Sequence, residues 1–461
     1  MIIKSTHIAS FILGITLFIT VSCKVGQPYT RPDLKLPDLP DQTAVDTFSM
    51  ADLQWWDIYG DTLLQNLIRH TLEYNKDMLT AGARIKELAA LKRVDISKLA
   101  PQINGRLYGE KDAENYGGNH YSSDPELSAK ILASWELDIW GNLRWGAERN
   151  KALLMQSIEE QRALQVSLVA QVAQSYFELV ALDQELSIVK QTLHARQEGV
   201  RLAKIRFEGG LTSETSYQQA QVELARTATL VPELEKAVAT KENEIALLTG
   251  DFPHHILRLK ANDNPGLLIQ ELPAGLSSSL LERRPDIRAA EKALQAAHAE
   301  VGIALTNMFP KISLTAQFGV ESDEFSNLLK SPAHFLSASL LTPLFAMGKN
   351  RAQLKAQKAA REQSVYQYEK QVITAFKEVS DAIITFNKSK EVLDLSKNLE
   401  QAAKSNNKLA DLQYINGYIN YLDVLDAQRG YFDAQIGLNK AMLNQQLALV
   451  KLYKSLGGGW N

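Results

Sequence analysis

The sequence predicts a mainly α fold with a small β part, laid out as one unit written twice. Three observations predict it. Residues recur at a fixed offset over most of the chain, apolar side chains step by threes and fours over very long stretches, and four short stretches alternate apolar and polar residues.

The repeat comes first because it decides the fold. Gly141 and Gly348 differ by 207, as do Arg144 and Arg351, Gly210 and Gly417, Ala220 and Ala427, Gln221 and Gln428, and Gly250 and Gly457. Upstream, Asp77 and Asp286, Ala81 and Ala290, and Pro101 and Pro310 differ by 209. The change of register falls between "APQING" and "WELDIWG", where a loop tip absorbs length most easily. Each copy has the same order: a helix of about 25 residues, two alternating stretches, a very long helix, a tight break and a helix of about 38 residues.

The long helix of the first copy is expected from about Asn142 to Glu208, which at 1.5 Å per residue spans roughly 100 Å. Val172, Tyr176, Leu179, Leu182, Leu186, Val189 and Leu193 form one coiled-coil seam along it. Val166, Val169, Ala173, Phe177 and Val180 form a second beside it. Two seams require two helical neighbours, as in a bundle or a closed wall of helices.

In "INGRLYGE", Ile103, Gly105, Leu107 and Gly109 oppose Asn104, Arg106, Tyr108 and Glu110. The matching stretch sets Ile312, Leu314, Ala316, Phe318 and Val320 against Lys311, Ser313, Thr315, Gln317 and Glu321. The return stretches repeat the pattern, with Ile131, Trp135, Leu336, Leu340 and Leu344 on apolar sides and Lys130, Glu136, Ser337 and Ser339 on polar ones. Pro101 and Pro310 stand where helix gives way to strand, because proline disfavours helical geometry in the residue before it.

Composition excludes some classes. With 22% charged residues and a net charge of −3, there is no basic excess of the kind a nucleic-acid partner needs. The first residues, "MIIKSTHIASFILGITLFITVSC", place Lys4 before an apolar run that ends at Cys23, the shape of a secretory signal. Cys23 is the only cysteine and resembles the lipid-modified cysteine of a bacterial lipoprotein, although Thr20 stands where that signal usually has a leucine. Nothing after it approaches the roughly 18 to 20 continuous apolar residues of a membrane-spanning helix, so any crossing must use strands. Four strands are too few, since the smallest outer-membrane barrels have about eight. Several chains would have to pool them.

The expected layout is a signal peptide over 1–22, a lipidated tail and linker over 23–60, and a first repeat over 61–250 with its hairpin at 102–140. An inter-repeat linker follows over 251–280, then a second repeat over 281–457 with its hairpin at 311–345, and a tail over 458–461.

The segments "CKVGQPYTRP", "WWDIYGD", "LIRHTLEYNKDMLTAGARI", "ERRPDIRAAEKAL", "RFEGGLTS" and "YLDVLDAQRGYFDAQ" resemble the TolC-type outer-membrane factors, in their lipoprotein branch. The resemblance covers nearly the whole mature chain. It implies a homotrimer with an outer-membrane β-barrel, four strands from each chain, continued by a long α-helical barrel in the periplasm. It also implies partners: outer-membrane lipid, a periplasmic adaptor (membrane fusion) protein and an inner-membrane proton-driven efflux pump. The family's docking motif falls at the helix breaks, Arg206, Gly210 and Leu211 in one copy and Gln413 and Gly417 in the other. Glycine suits the sharp reversal there.

Asp423 and Asp426 share a helix face, and the positions 207 earlier are Ser216 and Gln219, so the two charges belong to one repeat only. In the family the corresponding aspartates line a constricted periplasmic entrance. Tyr414, Tyr418 and Tyr421 are further candidates for narrowing it.

An enzyme is the rival class, but the sequence has no GxSxG, GxGxxG, Walker loop or HExxH. His254 and His255 are adjacent in the linker, a poor arrangement for joint metal ligation, and His298 reads as structural or solvated. Neither a metal nor a cofactor is expected. Trp55 and Trp56 are expected to pin the N-terminal segment against the helical wall. A periplasmic structural or adhesive stalk is the alternative function, but it would need no amphipathic strands.

Overall fold

The structure, a computed structural model, describes residues 24–34, 56, 59–114, 122–259 and 283–458. The signal peptide, Cys23, Trp55 and most of the inter-repeat linker lie outside the described residues. Chain order is α1 (Thr62–Tyr74), α2 (Lys76–Ser97), β1 (Gln102–Glu114), β2 (Ser122–Leu137), α3 (Asn142–Glu208), α4 (Glu214–Thr249), α5 (Pro285–Thr306), β3 (Lys311–Ser322), β4 (Pro332–Leu341), α6 (Lys349–Ile415) and α7 (Tyr421–Ser455). Among the described residues no helix is long and apolar enough to cross a membrane. Two compact units form, and both cut across the repeats: one takes Ala83–Ile158 and Ala289–Lys370, the other Glu159–Arg288 and Gln371–Asn461.

In the first unit the strands make one antiparallel sheet in the order β1-β2-β3-β4. Its register sets Leu107 opposite Ala129 and Ile131 opposite Phe318, which gathers the apolar side chains on one face. That face is open: Leu107 is 87% exposed, Phe318 70% and Leu336 75%. The other face is polar, with Thr315 opposite Ser337 and a Ser313–Ser339 hydroxyl pair at 2.7 Å. β4 stops at Leu341, short of Leu344, because Pro343 has no N–H to pair and restrains Thr342 before it.

The same unit holds a strap the periodicity did not reveal. Val25 donates its N–H to the Trp140 carbonyl, and Trp145 Nε1 donates to the Val25 carbonyl. His298 is 9% exposed because its Nε2–H donates to the Gln27 carbonyl, and Arg31 makes a two-pronged ion pair with Glu291.

The expected helix of about 25 residues is α2 in the first copy and α5 in the second, each of 22 residues, and in the first copy α1 precedes it. Asn75 separates α1 from α2: its side-chain oxygen accepts from the N–H groups of Asp77 and Met78, while its amide donates to the Leu248 carbonyl. This is an N-cap that starts a new helix. Both seams of α3 enter one core, Val172 and Tyr176 from the first and Ala173 and Phe177 from the second. Val172, Ala173 and Tyr176 pack with Val379, Ala382 and Phe386 of α6 and with Leu449 and Leu452 of α7. Leu179 packs instead on Ile245 and Ile256. Burying each such large side chain is worth about 1.5–3 kcal/mol.

Of the expected tryptophan pair, only Trp56 falls among the described residues. Trp56 is 44% exposed, and Tyr59 at 1% is the residue that plugs this stretch into the core, against Phe177. Gln65 completes the hold by donating to the carbonyls of Trp56 and Tyr59.

Candidate functional site

The candidate residues gather at two helix reversals of the second unit, α3 into α4 and α6 into α7. Both reversals are built alike. Leu211 N–H donates to the Arg206 carbonyl and Gly210 N–H to that of Phe207, and at the second reversal Tyr418 donates to Gln413 and Gly417 to Tyr414. These are paired Schellman caps, which need a left-handed residue at the glycine; φ is +71° at Gly210 and +81° at Gly417. The 207-residue spacing of these glycines is thereby explained by backbone geometry.

The reversals differ in how the next helix begins. Ser213 makes no side-chain cap, whereas Asn420 accepts from the N–H groups of Leu422 and Asp423, and Asp423 accepts from the Asn420 N–H. Asp423 therefore completes a capping box, and its charge suits the positive end of the helix. Asp426 has no such local task. Both carboxylates are on the exposed side of α7.

The three tyrosines separate. Tyr414 and Tyr421 are buried together, ring centres 5.5 Å apart, and burial with the neighbouring Tyr414 pushes the Tyr421 hydroxyl up to about 12. Their rings pack within the turn of the one chain. Tyr418, by contrast, is 81% exposed. Arg206 lies 4.3 Å over the Tyr414 ring, joining the two tips by a cation–π contact. Around them Ile205, Leu211, Ile415 and Tyr418 form an exposed apolar rim.

A second tie, which the motifs did not reveal, joins three helices. Glu223 of α4 is buried and accepts from Arg196 of α3 at 2.5 Å and from Arg429 of α7 at 2.7 Å. Burial pushes its carboxyl up, but hydrogen bonds from Arg429 and Arg196 prevail and hold it below the usual carboxylate range. Its signal in the sequence was positional: Glu223 falls between Ala220 and Thr227 at helical spacing, on the inward face.

His254 and His255 do not converge. His255 pairs with Glu242 at 2.7 Å, while His254 turns to the Phe252 carbonyl.

A model of outer membrane efflux proteins matches residues 67–251 and again 276–458, once for each repeat. The chain belongs to the outer membrane efflux protein family. Within it, the chain is 31% identical to the outer membrane protein OprJ of Pseudomonas aeruginosa, over 98% of this chain and 96% of that one. It is 29% identical to the cation efflux system protein CusC of Escherichia coli, over 95% and 96%. The open-state MtrE outer membrane channel of Neisseria gonorrhoeae superposes with a TM-score of 0.86 at 28% identity, over 95% of this chain and 99% of that one. The protein is an outer-membrane efflux channel and not an enzyme. Family membership sets aside the stalk alternative.

Proposed function

We propose that three copies of the chain form the outer-membrane duct of a tripartite efflux system, with the helix reversals docking a periplasmic adaptor that leads to an inner-membrane proton-driven pump. The observation that carries this is the open sheet. β1 and β4 each pair on one side only, and an unpaired strand edge is a template for another chain. In a four-stranded antiparallel sheet the two edge strands run oppositely, so β4 of one copy meets β1 of the next in antiparallel pairing, and the ring can close. The exposed apolar face then faces lipid and the polar face lines the pore.

The long helices support the same assembly. On α6, Val392, Leu395, Leu399, Leu409 and Leu412 are all half or more exposed, at helical spacing, which is a seam awaiting a neighbouring helix. Arg206, Gly210, Leu211, Gln413 and Gly417 present the docking tips, with the apolar rim as contact surface. Asp423 and Asp426 put six carboxylates in a trimer at the periplasmic entrance and favour cations there. The Arg206–Tyr414 and Glu223 ties hold the two reversals of one chain together, so that widening the entrance must strain them. Cys23 carries the lipid anchor.

Native mass measurement of the detergent-solubilised protein tests the assembly. A trimer is expected; a stable monomer would contradict it.

A further inference from the structure

The polar face of the sheet carries a row of charge of the opposite sign to Asp423 and Asp426. Arg106 of β1 stands directly opposite Lys130 of β2, Lys130 opposite Gly319 of β3, and Gly319 opposite Ala333 of β4. The row thus holds two adjacent cations and two of the smallest residues. Like charges directly opposite destabilise a sheet, so something must offset them. Lys130 has a partner one row away, Glu321 at 2.6 Å. Arg106 pairs with no carboxylate among the described residues; its guanidinium lies 4.5 Å over the Tyr108 ring, held against the wall and exposed. Position 319 holds no side chain, because a Cβ there would meet the Ala129 carbonyl oxygen of β2 at 2.1 Å.

The neighbouring rows define the extent. Towards the helices the next row on this face is Asn104, Leu132, Gln317 and Phe335, two apolar residues among two amides and no charge. In the other direction come Tyr108, Ser128 and Glu321, then Glu110 opposite Glu126. Along the strand the wall therefore passes from neutral to basic to acidic.

We infer that Arg106 and Lys130 form a basic belt inside the barrel, a selectivity element that retards cations and eases anions past the mid-wall. This rests on the trimeric duct in which the polar face lines the pore; three copies of the row then give six cations, of which the three Lys130 are matched by Glu321 and the three Arg106 carry the excess positive charge. Charged side-chain rings of one sign set ion preference in pores. Because Arg106 is solvated, the reach of its charge follows the screening length, roughly 30 Å at 0.01 M salt and roughly 3 Å at 1 M.

The test is the reversal potential of the full-length protein in planar bilayers under a potassium chloride gradient, for wild type, Arg106→Gln and Arg106→Lys. At about 10 mM salt Arg106→Gln should raise the cation-to-anion permeability ratio about twofold or more, and near 1 M the difference should vanish. Arg106→Lys should behave as wild type. An unchanged ratio at low salt in conducting Arg106→Gln channels would overturn the belt and leave the duct standing. A wild-type protein that never conducts would overturn both.

Discussion

Glu223 on α4 and Arg429 on α7 meet at 2.7 Å, joining the first repeat to the second. The contact has no counterpart in the duplicate: the positions 207 away are Gly430 and Val222, and the third member, Arg196, matches Ala403. Duplication built two near-identical hairpins, and this buried carboxylate is one of the ties that fasten them to each other.

Replacing that carboxylate with an amide removes the counter-charge shared by Arg196 and Arg429, although Arg196 keeps the backbone carbonyl at 223. Breaking a buried ion pair from one side costs about 3 kcal/mol. Glu223→Gln should therefore weaken amide protection along 196–226 and 421–430 while leaving the sheet unchanged, as hydrogen exchange would report. Equal protection in both proteins would refute the tie.

The tie also sets a pH dependence. The Glu223 carboxyl is held below its ordinary value by Arg429 and Arg196, against burial. A group depressed on folding contributes stability above its unfolded value, about 4.3, and loses it as pH falls through the folded value. Protection of the reversals should hold from neutral pH down to about 5 and fall only below about 4. The Glu223→Gln protein should lack this acid step.

Glycine substitutions should act with opposite signs at two nearby positions. Gly417→Ala forces a side chain into left-handed backbone at φ +81° with no steric neighbour, so only the strain registers, about 1–2 kcal/mol. Gly430 lies inside α7 in open space, and Gly430→Ala should stabilise the helix by about 0.5–1 kcal/mol. Thermal unfolding of the two variants should bracket the wild type.

If Cys23 is the lipid site, Cys23→Ala should lose metabolic lipid label and still assemble, because strands make the insertion and acyl chains only tether. Persisting label in the variant would refute the assignment.

Much of this fold was legible because period and burial agree. The α3 seams were visible as threes and fours, and the strands as alternation, since each must bury one face over many residues. What stayed hidden depends on single side chains. Asn75 starts α2 through one side-chain amide, and the strap at 24–34 is held through its own backbone by the Trp140 carbonyl, the Trp145 indole and the His298 ring, and by the Arg31–Glu291 pair, which no periodicity encodes. At the reversals the glycines were readable from the repeat. The burial of Tyr414 and Tyr421 was not, because a tyrosine near a turn looks the same in sequence whether it faces water or its neighbour.

Single-channel recording of the purified full-length protein in planar bilayers tests the central claim most directly. The account predicts discrete conductance steps, blocked by trivalent cations, with the block lost in the Asp423→Ala, Asp426→Ala double variant. A trimer that inserts without conducting, or one whose block survives the double substitution, would contradict it.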